Sequence, residues 1–135
     1  MWAMNLRISR TQRQQLIGWA NDAKPQECCG LLLGHNGVVD QVVLAANVAS
    51  DPAQEFEIDP STLIAAEKAA RAGGLSMLGY FHSHPNGSAE PSPTDARMAA
   101  ADGRWWLIIA GDLVTCWRPI ILAGGEVGFA EEVTD

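Results

Sequence analysis

The alternation of apolar and polar positions divides the chain into short elements. Leu16, Ile17 and Ala20 recur at helical spacing, Ser9-Arg-Thr-Gln12 ahead of them fits a capping box, and Pro25 supplies a stop. This pattern predicts a first helix from about Thr11 to about Ala23. Cys28-Cys-Gly-Leu-Leu-Leu-Gly34 is an apolar run bounded by Pro and Gly, which suits a strand buried on both faces. The turn residues His35-Asn-Gly37 and the β-branched stretch from Val38 to Val48 complete a hairpin. Glu55-Phe-Glu-Ile-Asp59 alternates as a strand with one wet face. Asp59-Pro60 then offers an N-cap and an N1 proline to a second helix with Leu63, Ala66 and Ala70 on its buried stripe and Gly73-Gly74 at its end. Leu75 to Phe81 is a third apolar strand and runs into His82-Ser-His84. The segment from Pro85 to Pro93, with three prolines and a glycine, is a surface loop. A third helix is expected from near Thr94 to about Ala101, followed by strands at Trp105 to Ile109 and Leu113 to Trp117 and a weaker one near Val127 to Ala130.

Helices and strands interleave, yet hairpins occur beside helical crossovers, so the expected fold is α/β: a mixed sheet with helices packed on its faces. No internal repeat interrupts this pattern, and 135 residues suit a single domain over 1–135 that buries roughly two thirds of its unfolded surface. Apolar residues at 47% and charged residues at 19% exclude a disordered chain, a collagen-like repeat and a coiled coil.

Nine Lys and Arg stand against sixteen Asp and Glu, a net charge of −7. The split is uneven: Arg7, Arg10, Arg13 and Lys24 against Asp22 give residues 1–24 a net +3, which leaves −10 for the rest. Nucleic acid is a poor partner for such a body. The opening residues carry arginines without a following apolar run of secretory-signal length, and no segment approaches the roughly 20 apolar residues that span a bilayer, so neither export nor a membrane is expected. A cytoplasmic location follows, in which Cys28, Cys29 and Cys116 remain thiols; Cys28 and Cys29 read as small buried hydrophobes.

Two of the three histidines, His82 and His84, stand one residue apart at the C-terminal end of an apolar strand. Alternate strand residues face the same side, about 6.5 to 7 Å apart, so both imidazoles can reach one metal ion. A catalytic zinc takes three protein ligands, and Asp95 is the candidate third: the Pro- and Gly-containing loop turns the chain back, and the first turn of a helix favours a carboxylate. Two imidazoles and one carboxylate leave a divalent ion a residual positive charge that acidifies water. Glu27, an acid at the mouth of an apolar strand, is the candidate base, and the Ser92 hydroxyl is a candidate for stabilising an oxyanion. Each residue also has a plainer reading. Ser92-Pro-Thr-Asp95 is a good capping box, the histidines form a surface pair beside Pro85, Glu27 flanks a helix end, and His35 is an exposed turn residue.

Taken together, Glu27-Cys-Cys-Gly-Leu-Leu-Leu-Gly34, Phe81-His-Ser-His-Pro85 and Ser92-Pro-Thr-Asp95 resemble the JAMM motif of the MPN-plus (JAB1/MPN/Mov34) zinc metalloproteases. Phe56-Glu-Ile-Asp-Pro60 and Gly79-Tyr-Phe81 extend the likeness over about residues 9 to 118. The resemblance implies a three-layer, cytidine deaminase-like fold, one zinc ion on His82, His84 and Asp95, Glu27 as general acid and base, and Ser92 assisting the tetrahedral intermediate. It further implies hydrolysis of an amide or isopeptide bond after the C-terminal Gly-Gly of a ubiquitin-like protein. The short chain suggests a compact, prokaryotic-type member acting on a ubiquitin-like or sulfur-carrier-like substrate. The alternatives are a non-catalytic MPN interaction module, or the same chemistry on a cell-wall or phage-tail peptide. Deaminase chemistry is not expected, because the His-x-Glu and Pro-Cys-x-x-Cys signature is missing.

Overall fold

The computed structural model describes residues 5–135; the first four, part of the stretch searched above for a leader, lie outside the described residues. Helix α1 (Arg10–Ala23) opens on the expected capping box, in which the Ser9 side chain accepts from the Gln12 N–H and the Gln12 side chain accepts from the Ser9 N–H. Strands β1 (Cys29–His35) and β2 (Val38–Ala45) form the hairpin, joined through Asn36 and Gly37 at positive φ (54° and 76°), as a tight two-residue turn demands. The remaining elements are α2 (Pro60–Arg71), β3 (Ser76–Ser83), α3 (Pro93–Met98), β4 (Trp105–Ala110), β5 (Leu113–Ile121) and β6 (Val127–Glu132).

The six strands make one mixed sheet in the order β2-β1-β3-β4-β5-β6. Among the described strands only β3 and β4 run parallel; the other neighbours are antiparallel. Because successive side chains point to opposite faces, the sheet feeds two cores. Leu32, Leu107 and Ile109 pack with Leu16 and Ala20 of α1, whereas Leu31, Trp106 and Ile108 pack with Phe56, Ile58, Leu63 and Ala66 on the α2 side. This is the mixed sheet between helical layers that the sequence predicts. Gly30 is required by the close approach of neighbouring chain, since a Cβ there meets the Val43 carbonyl and the Phe81 ring. Asp135 exchanges backbone bonds with the 6–8 segment (Asp135 N–H to Leu6 O, 2.9 Å; Ile8 N–H to Asp135 O, 3.2 Å), while Arg7 N–H donates to Gly37 O at the start of β2 (2.7 Å). The two margins of the sheet are thereby tied together.

Three expectations need correction. The 55–59 segment keeps the alternating burial of a strand, with Phe56 and Ile58 inside, but forms only the isolated bridge Asn47–Ile58, because β2 has already ended at Ala45 and the Asn47 side chain supplies the acceptor for Glu57 N–H. Helix α3 stops at Met98 despite the alanines that follow. Ala99 turns extended (ψ 146°) to pack on the α2-side core, so a tertiary contact overrides local propensity. Helix α2 lies shallow: none of its residues is fully buried, and Leu63, Ala66 and Ala70 are only half-buried. Among the described residues no helix is long and apolar enough to cross a membrane, and the three cysteines are buried free thiols.

Candidate metal centre and active site

The His-x-His pair sits where β3 ends. His82 is the penultimate residue of the strand, opposite Cys29 of β1 and Ile108 of β4, and His84 follows immediately. Alternation turns both rings to the face that also holds Phe56 and Trp106. Glu27, two residues before Cys29 and therefore on the same face of the chain, reaches them from β1. Asp95 arrives on the first turn of α3, fixed by a reciprocal cap: Ser92 Oγ accepts from Asp95 N–H (3.0 Å) and Asp95 Oδ2 accepts from Ser92 N–H (2.9 Å).

The donor atoms converge. His82 Nε2 lies 3.0 Å from His84 Nε2 and 3.1 Å from Asp95 Oδ1, and His84 Nε2 lies 3.0 Å from Asp95 Oδ2. Donors bound to one tetrahedral ion at zinc's bond lengths stand about 3.3 Å apart, close to the spacing of the two imidazole nitrogens, each of which faces a different oxygen of the Asp95 carboxylate. Glu27 belongs to the same cluster: one ligand atom each from Glu27, His82 and His84 lies within 4.8 Å of the others. His84 Nδ1 lies 2.8 Å from the Ser88 carbonyl, which can only accept; Nδ1 therefore carries the proton and Nε2 offers its lone pair in the neutral ring. His82 has no polar partner at Nδ1 and is held by packing instead, stacked on Phe56 (centroids 4.3 Å, 20°) with Trp106 edge-on at 5.4 Å.

Burial and charge set the protonation states. Burial lowers the pKa of His82 and outweighs the opposing pull of Asp95, so its ring stays neutral. Burial also acts downward on His84, but its hydrogen bond to Asp95 and the charge of that carboxylate prevail and raise it. Asp95, although burial disfavours its charge, is held well below the usual carboxylate range by hydrogen bonds from both imidazoles. Glu27 goes the other way. Burial, partly offset by His84 and reinforced by Asp95 and Glu55, pushes it up to about 7, and its Oε1 is buried without a partner.

Glu27, His84 and Ser92 face a cavity of about 680 Å³, walled on one side by Pro25, Ala53 and Gln54 and on the other by the 85–94 loop. The five residues singled out in the sequence are thus gathered in one place. His35 lies apart as an exposed turn residue. Sequence reasoning missed Phe56 and Trp106 as the packing around His82 and the Ser88 carbonyl as the partner of His84; these depend on strand neighbours and loop path, which carry no local signal.

Comparison with known proteins agrees with this geometry. The family model described as prokaryotic homologs of the JAB domain matches residues 9–120. A protein named desampylase from Haloferax volcanii is 30% identical over 120 residues, covering 83% of this chain and 85% of the relative. A probable TtuB-protein conjugate cleaving protease from Thermus thermophilus is 41% identical over 81 residues, 60% of this chain and only 51% of the longer relative. Among solved structures, a Desulfitobacterium hafniense protein aligns at TM-score 0.77 and 31% identity over 96% of this chain and 91% of its own. A JAB1/MPN domain protein from Archaeoglobus fulgidus aligns at TM-score 0.61 and 21% identity over 98% of this chain and all of its own, which shows the shared fold. With the family match over most of the chain and the JAMM donor set gathered at the end of β3, this protein belongs to the prokaryotic branch of the JAB/MPN family.

Proposed function

We propose that this chain, acting as one domain over 1–135 in the cytoplasm, is a zinc-dependent peptidase. In this reading it hydrolyses the amide or isopeptide bond after the C-terminal Gly-Gly of a ubiquitin-like or sulfur-carrier-like protein. The observation that carries the reading is the convergence of His82 Nε2, His84 Nε2 and the Asp95 carboxylate within 3.1 Å, with the unpartnered Glu27 carboxyl beside them at the floor of an open cavity. The substrate class is supported by the relatives named desampylase and probable TtuB-protein conjugate cleaving protease.

In this proposal His82, His84 and Asp95 hold the ion, and Asp95 carries the negative charge that offsets it. When bound, a zinc ion there supplies a Lewis acid for a carbonyl oxygen and lowers the pKa of water towards neutrality. Glu27 accepts a proton from the attacking water at its carboxylate and returns it to the leaving nitrogen. The Ser92 oxygen uses a lone pair to cap Asp95 N–H, which leaves its O–H free to donate to a developing oxyanion. The cap and the catalytic role are therefore compatible. Cleavage proceeds without an acyl-enzyme, since no nucleophilic side chain is needed.

The test combines metal analysis with turnover. Protein purified without added metal is expected to carry about one zinc per chain, His82→Ala almost none, and Glu27→Gln about one with turnover of a Gly-Gly-linked amide fusion lost. A folded, zinc-bearing Glu27→Gln variant with normal turnover removes Glu27 as the base. A native chain that binds zinc but cleaves none of a panel of ubiquitin-like fusions and cell-wall peptides leaves the interaction-module alternative standing.

A further inference from the structure

We infer that the Ser83 hydroxyl, the residue between the two histidines, is a positioning group that sets the Glu27 carboxylate against the metal ligands. This rests on the peptidase reading above. Alternation points Ser83 to the face opposite His82 and His84, and its side chain is buried at 2% exposure, so it neither ligates nor reaches substrate. It bonds instead to the backbone beside Glu27. The β1–β3 ladder ends at the Cys29–His82 pair. One step further, Ser83 N–H donates to the Cys28 carbonyl (3.0 Å), and the return bond from Cys28 N–H runs to Ser83 Oγ (2.8 Å). In a regular antiparallel pair that return bond goes to a backbone carbonyl. Here a side chain makes it, so it depends on the residue at 83.

The other backbone bonds of Glu27 lead elsewhere. Its N–H donates to Pro52 O (2.8 Å) and its carbonyl accepts from Asn47 Nδ2 (3.0 Å), both in the loop that follows β2. Among the described residues, only the two Cys28–Ser83 hydrogen bonds tie this end of β1 to the strand that bears the histidines, and of these only the hydroxyl bond is specified by sequence. Without it Cys28 N–H is left buried and unpaired, and the chain at Glu27 is free to shift towards the loop. Misplacing a reacting group by about 1 Å costs up to about a hundredfold in rate.

The experiment uses the zinc-loaded full chain, native and with Ser83→Ala or Ser83→Thr. Three quantities are read: zinc content, hydrogen exchange of the Cys28 amide by NMR, and kcat and KM on an amide fusion following Gly-Gly. Ser83→Ala is expected to keep one zinc per chain and a KM within about twofold, to exchange Cys28 N–H at least about tenfold faster, and to lose kcat by about tenfold to a hundredfold. Ser83→Thr, which keeps the hydroxyl, is expected to restore both exchange and kcat. If the alanine variant does not fold, Ser83→Cys, a poor acceptor of similar shape, takes its place with the same expectations. An unchanged kcat beside faster exchange, a kcat loss that follows zinc loss, or failure of threonine to rescue overturns the inference. Should the native chain prove inactive, the peptidase reading fails separately. Crystal structures then decide the positioning role: a Glu27 carboxylate unmoved between native and Ser83→Ala zinc forms refutes it, and a displacement of about 1 Å supports it.

Discussion

Removing the Glu27 charge should stabilise the metal-free protein, and only above the pH at which that charge forms. The side chain is 6% exposed, its Oε1 has no partner, and burial with the nearby Asp95 and Glu55 charges raises its pKa from 4.5 to about 7 against the opposing pull of His84. A carboxyl whose folded pKa exceeds its unfolded value binds more protons when folded. Stability attributable to it is therefore full below about 4.5 and is lost as pH rises through the interval to about 7. The gap between the two values corresponds to about 3 kcal/mol of destabilisation at pH 8, against less than about 1 kcal/mol at pH 5. Glu27→Gln lacks this titration. For a chain of 135 residues, unfolding entropy of the usual size turns about 3 kcal/mol into about 10 °C of melting temperature. Thermal or urea unfolding of chelator-treated native and Glu27→Gln protein at pH 5 and pH 8 measures it. The variant should gain about 8 °C relative to native at pH 8 beyond any difference at pH 5. An equal difference at the two pH values refutes the claim that a charged carboxylate is held here at a cost.

Two further outcomes follow from the same structure. Cys28, Cys29 and Cys116 are buried, and burial raises all three thiols, the last two to about 12, so a colorimetric thiol reagent at pH 8 should find almost none in folded protein and three per chain in guanidinium; rapid labelling of the native form contradicts the burial. Ser92→Ala removes the cap on α3, worth about 1 kcal/mol or about 4 °C of melting temperature, and with it the proposed oxyanion donor, worth about a hundredfold or more in kcat. A lower melting temperature with unchanged turnover makes Ser92 a cap alone.

Local chemistry made much of the fold legible. The Ser9 box, the Asn36-Gly37 turn and the Asp59-Pro60 start of α2 each depend on residues within three or four positions of one another, and each forms as expected. The pairing of the chain at Phe56 and Ile58 was not legible to the same degree. Their alternation is real, but whether an alternating segment becomes a strand depends on where a partner ends, and β2 ends at Ala45. Likewise the alanines after Met98 have the propensity for helix and lose it to a contact that only the folded core provides. The site divides in the same way. His82, His84 and Asp95 are close in sequence and can be read as a set, whereas the stacking of Phe56 on His82 and the strap from Ser83 to Cys28 are products of strand register.

The topology explains why His82, His84, Asp95 and Glu27 meet at this end of the sheet. β3 and β4 are the one parallel pair among the described strands, so the chain leaving β3 must cross back along the sheet before entering β4. It leaves immediately after Ser83, and the returning crossover places the start of α3, with Asp95 on its first turn, over the strand end just vacated. Open sheets of this kind gather ligands in the crevice beyond the carboxyl ends of parallel strands for the same reason. Glu27 completes the group because β1 runs antiparallel to β3, which brings the residues before Cys29 beside the residues after Phe81. The ten-residue interval from His84 to Ser92 to Asp95 is thus the length of one crossover loop, and that is why a spacing in the sequence could stand for a distance in space.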